Sequence, residues 1–170
     1  MDYPSRTGYL ECQPVSRTYA IIMNDNNHKI TAQADQTKIL IIDDDDAMTD
    51  MLKLILEPNE FEVFISHSGP EGIKAAHKFN PDVIILDLIM PDMDGWEVCK
   101  AIRSFSEVPI LVISAINKPG MVSKALDEGA DDYLLKPMPS NVLIAHLKRL
   151  AWRARAERNA SQTNLNYLGV

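Results

Sequence analysis

A chain of 170 residues, 46% of them hydrophobic and 24% charged, has the size and make-up of one globular domain, which excludes a disordered or fibrous chain. Its 24 acids against 17 lysines and arginines leave a net charge of −7, so neither phosphate backbones nor anionic membranes would attract it non-specifically. Two cysteines (Cys12 and Cys99) cannot build a disulfide framework, no apolar run nears the ~20 residues that span a bilayer, and the N-terminus lacks a signal-peptide pattern, so a cytoplasmic protein without membrane contact is expected.

In chain order, residues 1–36 are polar, with Pro4, Pro14 and the stretch Asn24-Asp25-Asn26-Asn27. Their one apolar patch, Tyr19 to Met23, is too short for a core, and a flexible N-terminal extension is expected. From residue 37 the texture changes. The buried-strand run Ile39-Leu40-Ile41-Ile42 stops at four consecutive aspartates, and Met48, Met51, Leu52 and Ile55 follow at helical spacing before Pro58. Phe61 to Ile65 reads as a strand and Pro70 to Phe79 as a helix with proline in its first turn. Val83 to Leu86 is apolar at every residue, as a strand buried on both faces should be. After the turn Met90-Pro91-Asp92-Met93-Asp94-Gly95, a helix carries Trp96, Cys99 and Ile102 on one face. Ile110 to Ile113 is another apolar strand, followed by a helix through Met121, Ala125 and Leu126. Tyr133 to Leu135 is the fifth strand and Val142 to about Glu157 the fifth helix. The resulting division is an extension over 1–36, one domain over 37–157, and a tail or linker start over 158–170. Five strand-then-helix units predict an α/β fold, a doubly wound parallel sheet with helices on both faces.

Open parallel sheets bind ligands outside the carboxyl ends of their strands. At those ends stand Asp43-Asp44, Asp87, Ser114 and Lys136-Pro137. Each alone has a bland explanation: a solvated acidic helix start, a loop acid, a structural hydroxyl, a turn. Their coincidence at four strand ends of one sheet argues for a site. Clustered carboxylates repel one another unless a cation is present, and an all-oxygen site with few protein ligands suits Mg²⁺. A lysine beside that ion can neutralise a phosphoryl group as a point charge, a serine hydroxyl can donate to another phosphoryl oxygen, and one carboxylate is left as nucleophile. Such a site is suited to phosphoryl transfer.

Four strings then carry a resemblance: Ile39-Leu40-Ile41-Ile42-Asp43-Asp44-Asp45, Asp82 through Gly95, Ile113-Ser114-Ala115, and Gly129-Ala130-Asp131-Asp132-Tyr133-Leu134-Leu135-Lys136-Pro137. In this order and spacing the chain resembles the receiver domain of two-component response regulators, closest in flavour to receivers of winged-helix transcriptional regulators. The resemblance implies a flavodoxin-like sheet with strand order 2-1-3-4-5. It implies a phosphorylation-activated signalling switch in which Asp87 receives a phosphoryl group from a sensor histidine kinase or phosphotransfer protein. In family terms Asp44 binds Mg²⁺ directly, Asp43 holds a metal-bound water, and Asp87 and the backbone carbonyl of Ile89 complete the protein ligands. Ser114 takes the place of the switch hydroxyl, Tyr133 that of the aromatic that follows it inward, and Lys136 pairs with the acids. Lys136-Pro137 resembles the family's cis peptide. The domain would be no enzyme in its own right, though it assists its own phosphorylation and dephosphorylation.

The face made by the fourth helix, fifth strand and fifth helix is the expected output surface, with transcription controlled through a DNA-binding domain that this chain does not contain. No nucleic-acid binding is expected of this chain alone. The sequence leaves open a stand-alone receiver or one cut from a longer regulator near Tyr167-Leu168-Gly169-Val170. A homodimer through the output face would lack the family's usual charge pairs. Lys124 is expected to have lost its partner, Val142 to lie near the centre of the face, and Asp131 to meet only His146 of another copy. Two other classes compete. A haloacid-dehalogenase-like phosphatase would use Asp43-x-Asp45, but Ala47 replaces its usual Thr, no acidic pair follows Lys136, and Asp87 is left unexplained. A pseudo-receiver interaction module fits poorly with a complete set of acids, acceptor and lysine. The four histidines show no metal-ligand spacing, Cys99 reads as a small core residue, and the basic run from Lys148 to Arg158 suits the C-terminal end of a helix.

Overall fold

The computed structural model describes the backbone of residues 19–23, 29–33 and 36–167, and the side chains of 36–158 and 160. The chain divides into two units, Met1–Asp35 and Gln36–Val170. In the first, β1 (Tyr19–Met23) pairs antiparallel with β2 (Lys29–Gln33), Tyr19 opposite Gln33 and Met23 opposite Lys29. Within the extension expected over 1–36, residues 19–23 and 29–33 pair as a hairpin, and residues 1–18, 24–28 and 34–35 lie outside the described residues.

The second unit alternates strand and helix: β3 (Thr37–Ile42), α1 (Asp46–Leu56), β4 (Phe61–Ser66), α2 (Gly69–Phe79), β5 (Val83–Leu86), α3 (Gly95–Arg103), β6 (Ile110–Ser114), α4 (Met121–Asp127), β7 (Asp132–Leu135) and α5 (Ser140–Tyr167). The five strands β3 to β7 are parallel and ordered β4-β3-β5-β6-β7, which is the predicted 2-1-3-4-5. Side chains alternate across this sheet. Ile39, Ile41, Val83, Ile85, Leu111 and Ile113 face α1 and α5, whose Leu52, Leu56, Leu143, Leu147 and Leu150 complete that core. Leu40, Ile42, Ile84, Leu86, Ile110 and Val112 face α2, α3 and α4. Burial on both sides explains why these strands carry no polar alternation.

The helix starts are specified locally. The Asp45 carboxylate accepts the amides of Ala47 and Met48, Ser68 caps α2, and Asp94 and Glu97 form a reciprocal capping box on α3. A 3₁₀ turn over Glu57–Asn59 carries Pro58 after α1. The fifth helix differs from its expected end near Glu157, running on to Tyr167, about 42 Å at 1.5 Å per residue. The sequence after Glu157 is polar but contains no proline or glycine before Gly169, so polarity alone does not end the helix. Of the Tyr167 to Val170 segment, Tyr167 is helical and 168–170 lie outside the described residues. Among the described residues, no helix is long and apolar enough to cross a membrane.

Candidate functional site

Asp43, Asp87, Ser114 and Lys136 are each delivered by the end of a strand, while Tyr133 lies within β7 and Ile89 in the loop after β5. Asp43 follows β3, where its amide bonds the Ser66 carbonyl of β4, and Asp87 follows β5, its amide bonding the Ile42 carbonyl. Ser114 closes β6 and Lys136 follows β7, and the Lys136 amide donates to the Ser114 carbonyl at 2.9 Å. The Lys136–Pro137 peptide is cis. Asp43, Asp87 and Ser114 are buried, and Asp44 is exposed at the mouth.

The Lys136 Nζ lies 2.8 Å from Asp43 Oδ2 and 3.1 Å from Asp87 Oδ1, so one ammonium bridges two buried carboxylates. Their other oxygens take backbone amides: Asp43 Oδ1 from Asp45 at 3.0 Å, and Asp87 Oδ2 from Ile89 at 3.0 Å. Burial pushes the Asp87 carboxyl above its ordinary range, outweighing the stabilising pull of Lys136, and the Asp43 charge adds to the rise. Burial also works against the Lys136 ammonium, but its bonds to Asp43 and Asp87 outweigh that and hold it above the usual lysine value. Asp43, Asp44 and Asp87 each offer an oxygen within 4.8 Å of the others, the only such cluster among the described residues. The donor set is hard oxygen throughout and anionic, which fits Mg²⁺.

On the Ser114 side, the hydroxyl oxygen accepts the Ile116 amide at 3.3 Å, while the Tyr133 hydroxyl donates to the Ile116 carbonyl at 2.8 Å. Residue 116 thus joins Ser114 to Tyr133, a link that no side-chain motif announces. Gly95 is a second contributor that sequence reasoning passed over. A Cβ there would stand 2.3 Å from the Asp87 carbonyl oxygen and 2.8 Å from the Leu88 Cα, so α3 approaches the acceptor loop backbone to backbone. The tight Asp94-Gly95 helix start was its available signal.

The α4–β7–α5 face departs from expectation in its charges. Lys124 has a partner within the chain, its ammonium 4.5 Å from the Trp96 ring centre. Asp131 is not left for His146 of another copy, because it binds Arg103 at 2.8 Å and also Arg153. His146 instead contacts Asp132 of its own chain, which Arg149 reaches at 2.5 Å. Helix azimuth decides this: residues 146, 149 and 153 follow one another at three- and four-residue steps and lie over β7. Val142 is half-buried, while Val122, Leu126 and Leu135 are exposed.

The residues at 39–148 match the family model described as the response regulator receiver domain. The chain is 37% identical over 123 residues to the transcriptional regulatory protein AfsQ1 of Streptomyces coelicolor, covering 72% of this chain and 55% of that protein. It is 35% identical over 122 residues to the DNA-binding response regulator MtrA of Mycobacterium tuberculosis, covering 72% of this chain and 51% of that one. The chain therefore spans about half the length of these curated relatives. Among solved structures, a two-component response regulator from Clostridium difficile superposes with a TM-score of 0.67 at 37% identity, covering 69% of this chain and 98% of that one. A receiver domain protein from Methanospirillum hungatei gives 0.67 at 28% identity, covering 72% and 98%. With its sheet order, its strand-end acids and these matches, the chain belongs to the response regulator receiver domain family.

Proposed function

We propose that this chain is a phosphorylation-activated switch whose acceptor is Asp87, supplied by the phosphohistidine of a sensor histidine kinase or a phosphotransfer protein. The observation that carries this reading is the Lys136 ammonium held at 2.8 and 3.1 Å between the Asp43 and Asp87 carboxylates. In the reaction, an Asp87 carboxylate oxygen attacks phosphorus, the P–N bond breaks with its electron pair going to the donor nitrogen, and the imidazole leaves neutral because its other ring nitrogen already carries a proton. Asp43, Asp44, Asp87 and the Ile89 carbonyl would hold Mg²⁺, which supplies charge neutralisation for the phosphoryl oxygens. Lys136 pairs with a phosphoryl oxygen as Asp87 gives up its charge to the new bond. The Ser114 hydroxyl donates to another, leaving the Ile116 amide. Tyr133, bonded to the Ile116 carbonyl, follows, and the population of the α4–β7–α5 face changes.

The output is proposed to be transcriptional control through a DNA-binding domain outside this chain, supported by the names of the relatives, with a cytoplasmic location where kinases draw on ATP. Association of two copies through the same face, if used, rests on Val122, Leu126 and Leu135 and not on the family's charge pairs, since Asp131 and Lys124 are engaged within the chain. No observation favours the phosphatase or the pseudo-receiver. Intact-mass spectrometry after incubation with Mg²⁺ and a small acyl phosphate donor tests the proposal. Wild type should gain one phosphoryl group and Asp87→Asn none; no gain in wild type refutes it.

A further inference from the structure

The face of the sheet away from α2, α3 and α4 is covered by two helices only among the described elements, α1 and α5, which run in the same direction because each returns from a parallel strand. Their outward sides are unlike an ordinary solvated surface. Leu54 on α1 is 76% exposed and Trp152 on α5 is 74% exposed, and Met51 is exposed beside Leu54. At 100° per residue, Leu54 points away from the buried Thr49, Leu52 and Leu56, and Trp152 away from the buried Leu147, Leu150 and Ala154. An exposed tryptophan and leucine on one layer, each framed by charge, are the composition of an interface centre.

The framing charges are opposite. Leu54 has Asp50 one turn before it and Glu57 one turn after. Trp152 has Lys148 and Arg149 one turn before it and Arg155 one turn after. Asp50, Glu57, Lys148, Arg149 and Arg155 are all exposed. Three of these groups already have neighbours within the chain: Glu57 is 3.7 Å from Lys53, Arg149 is 2.5 Å from Asp132, and Arg155 is 3.6 Å from Asp82. Their side chains nonetheless stay about half exposed, and such surface pairs exchange or share partners at little cost.

We propose that two copies of this chain associate through the α1–α5 layer, with Leu54 of each against Trp152 of the other. The charges select the symmetry. A twofold axis across the helices would stack α1 on α1 and α5 on α5, setting acid on acid and base on base. A twofold axis along the helices sets α1 over the other copy's α5 in the same direction. Asp50 then meets the level of Lys148 and Arg149, and Glu57 that of Arg155, at each of two equivalent junctions. The outward area of two helices, each about 12 Å long over the matched stretch and about 10 Å wide, is small for a stable dimer, so the association is weak and transient. This face is distinct from the exposed Val122, Leu126 and Leu135 of the output surface and leaves the strand-end acids open.

Sedimentation velocity of the full chain over a concentration series tests the proposal, because weak self-association is read directly from the dependence on loading. Wild type should dimerise, and Leu54→Glu or Trp152→Glu should weaken association at least about tenfold. A charge-reversal mixture guards against a merely misfolded variant. Asp50→Arg with Glu57→Arg makes both helices basic, and Lys148→Glu with Arg155→Glu makes both acidic. Each variant alone should be monomeric, and an equimolar mixture should recover the dimer, since both junctions are again complementary. A wild type that stays monomeric throughout, or a mixture that stays monomeric, overturns the proposal. So does a dimer that withstands Trp152→Glu and is lost in Leu126→Glu, which would move association to the output face.

Discussion

The most exacting test of how the fold holds the acceptor is Gly95→Ala. The added methyl would sit 2.3 Å from the Asp87 carbonyl oxygen, 2.8 Å from the Leu88 Cα and 3.1 Å from the Asp87 carbonyl carbon. All three are backbone atoms, so no side chain can rotate away, and relief requires α3 and the acceptor loop to part by about 1 Å. Forced repacking of this kind costs about 1–3 kcal/mol, of which alanine's better helix propensity returns at most about 1 kcal/mol. The net loss is about 1–2 kcal/mol, a fall in Tm of about 3–6 °C for a domain of this size. The strain falls on the residue that carries the acceptor, so phosphorylation from a small acyl phosphate should slow about tenfold or more. Gly120→Ala is the control. Gly120 has φ +82°, and its added Cβ meets nothing within 4 Å, so only the left-handed penalty of about 1 kcal/mol applies and the phosphorylation rate should hold. Urea unfolding followed by circular dichroism, with mass-spectrometric phosphorylation rates, separates the two. A Gly95→Ala protein with wild-type midpoint and wild-type rate would refute the reasoning.

Other outcomes follow from the same geometry. Lys136→Met leaves the buried Asp43 and Asp87 carboxylates facing each other, and chemical unfolding in chelator should show a loss of about 3 kcal/mol. Replacing Ile89 and Ile116 with Asn and Glu should speed hydrolysis of the acyl phosphate, because the apolar pair flanking the site cannot orient a water; an unchanged or slower decay in the phosphate-release assay contradicts this. Cys99 is buried with its thiol pushed up by burial, so peptide mapping after alkylation near neutral pH should find it modified at least about a hundredfold more slowly in native than in unfolded protein. Burial raises the Asp132 carboxyl, but its bonds to His146, the Tyr133 amide and Arg149 outweigh that and hold it below its ordinary 3.8. Its stabilising contribution is therefore present above 3.8 and lost as pH falls through the lowered value, and the stability gap between wild type and Asp132→Asn should close over that acid range.

Where the fold was legible, the reason was burial on two sides. Ile39 to Ile42, Val83 to Leu86 and Ile110 to Ile113 must be interior strands because no polar residue interrupts them, and their polar terminators Asp43, Asp87 and Ser114 then fall along one edge of the sheet. Features set by azimuth or by partner were not legible. Lys124 could not be assigned to Trp96, nor His146 to Asp132 in preference to Asp131, without knowing how α4 and α5 rotate against α3 and β7. The β1–β2 pairing was missed because Ile30 and Ala32 are too few apolar positions to mark a strand on their own, and the last turns of α5 because their polar sequence leaves no apolar periodicity to read. Gly95 was seen only as a turn residue, since close approach of two backbones is a property of packing.

The hydrogen bonds around residue 116 bear on how much the proposed phosphorylation could shift. The Ser114 hydroxyl holds the Ile116 amide at 3.3 Å, a long bond, and the Tyr133 hydroxyl holds the Ile116 carbonyl at 2.8 Å, a good one. A net hydrogen bond contributes about 1 kcal/mol, so losing the Ser114 contact biases the loop by only about fivefold. Breaking the second bond as Tyr133 moves opposes the shift by a similar amount, so the fivefold bias stands only where the tyrosine's new position supplies another acceptor. The bonds therefore permit a graded switch whose amplitude depends on Tyr133. Tyr133→Phe removes the second contact from the start and should narrow the difference between phosphorylated and unphosphorylated α4–β7–α5 conformations. Amide exchange across residues 116–135 reads that difference, and an unaltered difference in the phenylalanine variant would mean that the signal leaves Ser114 by another path.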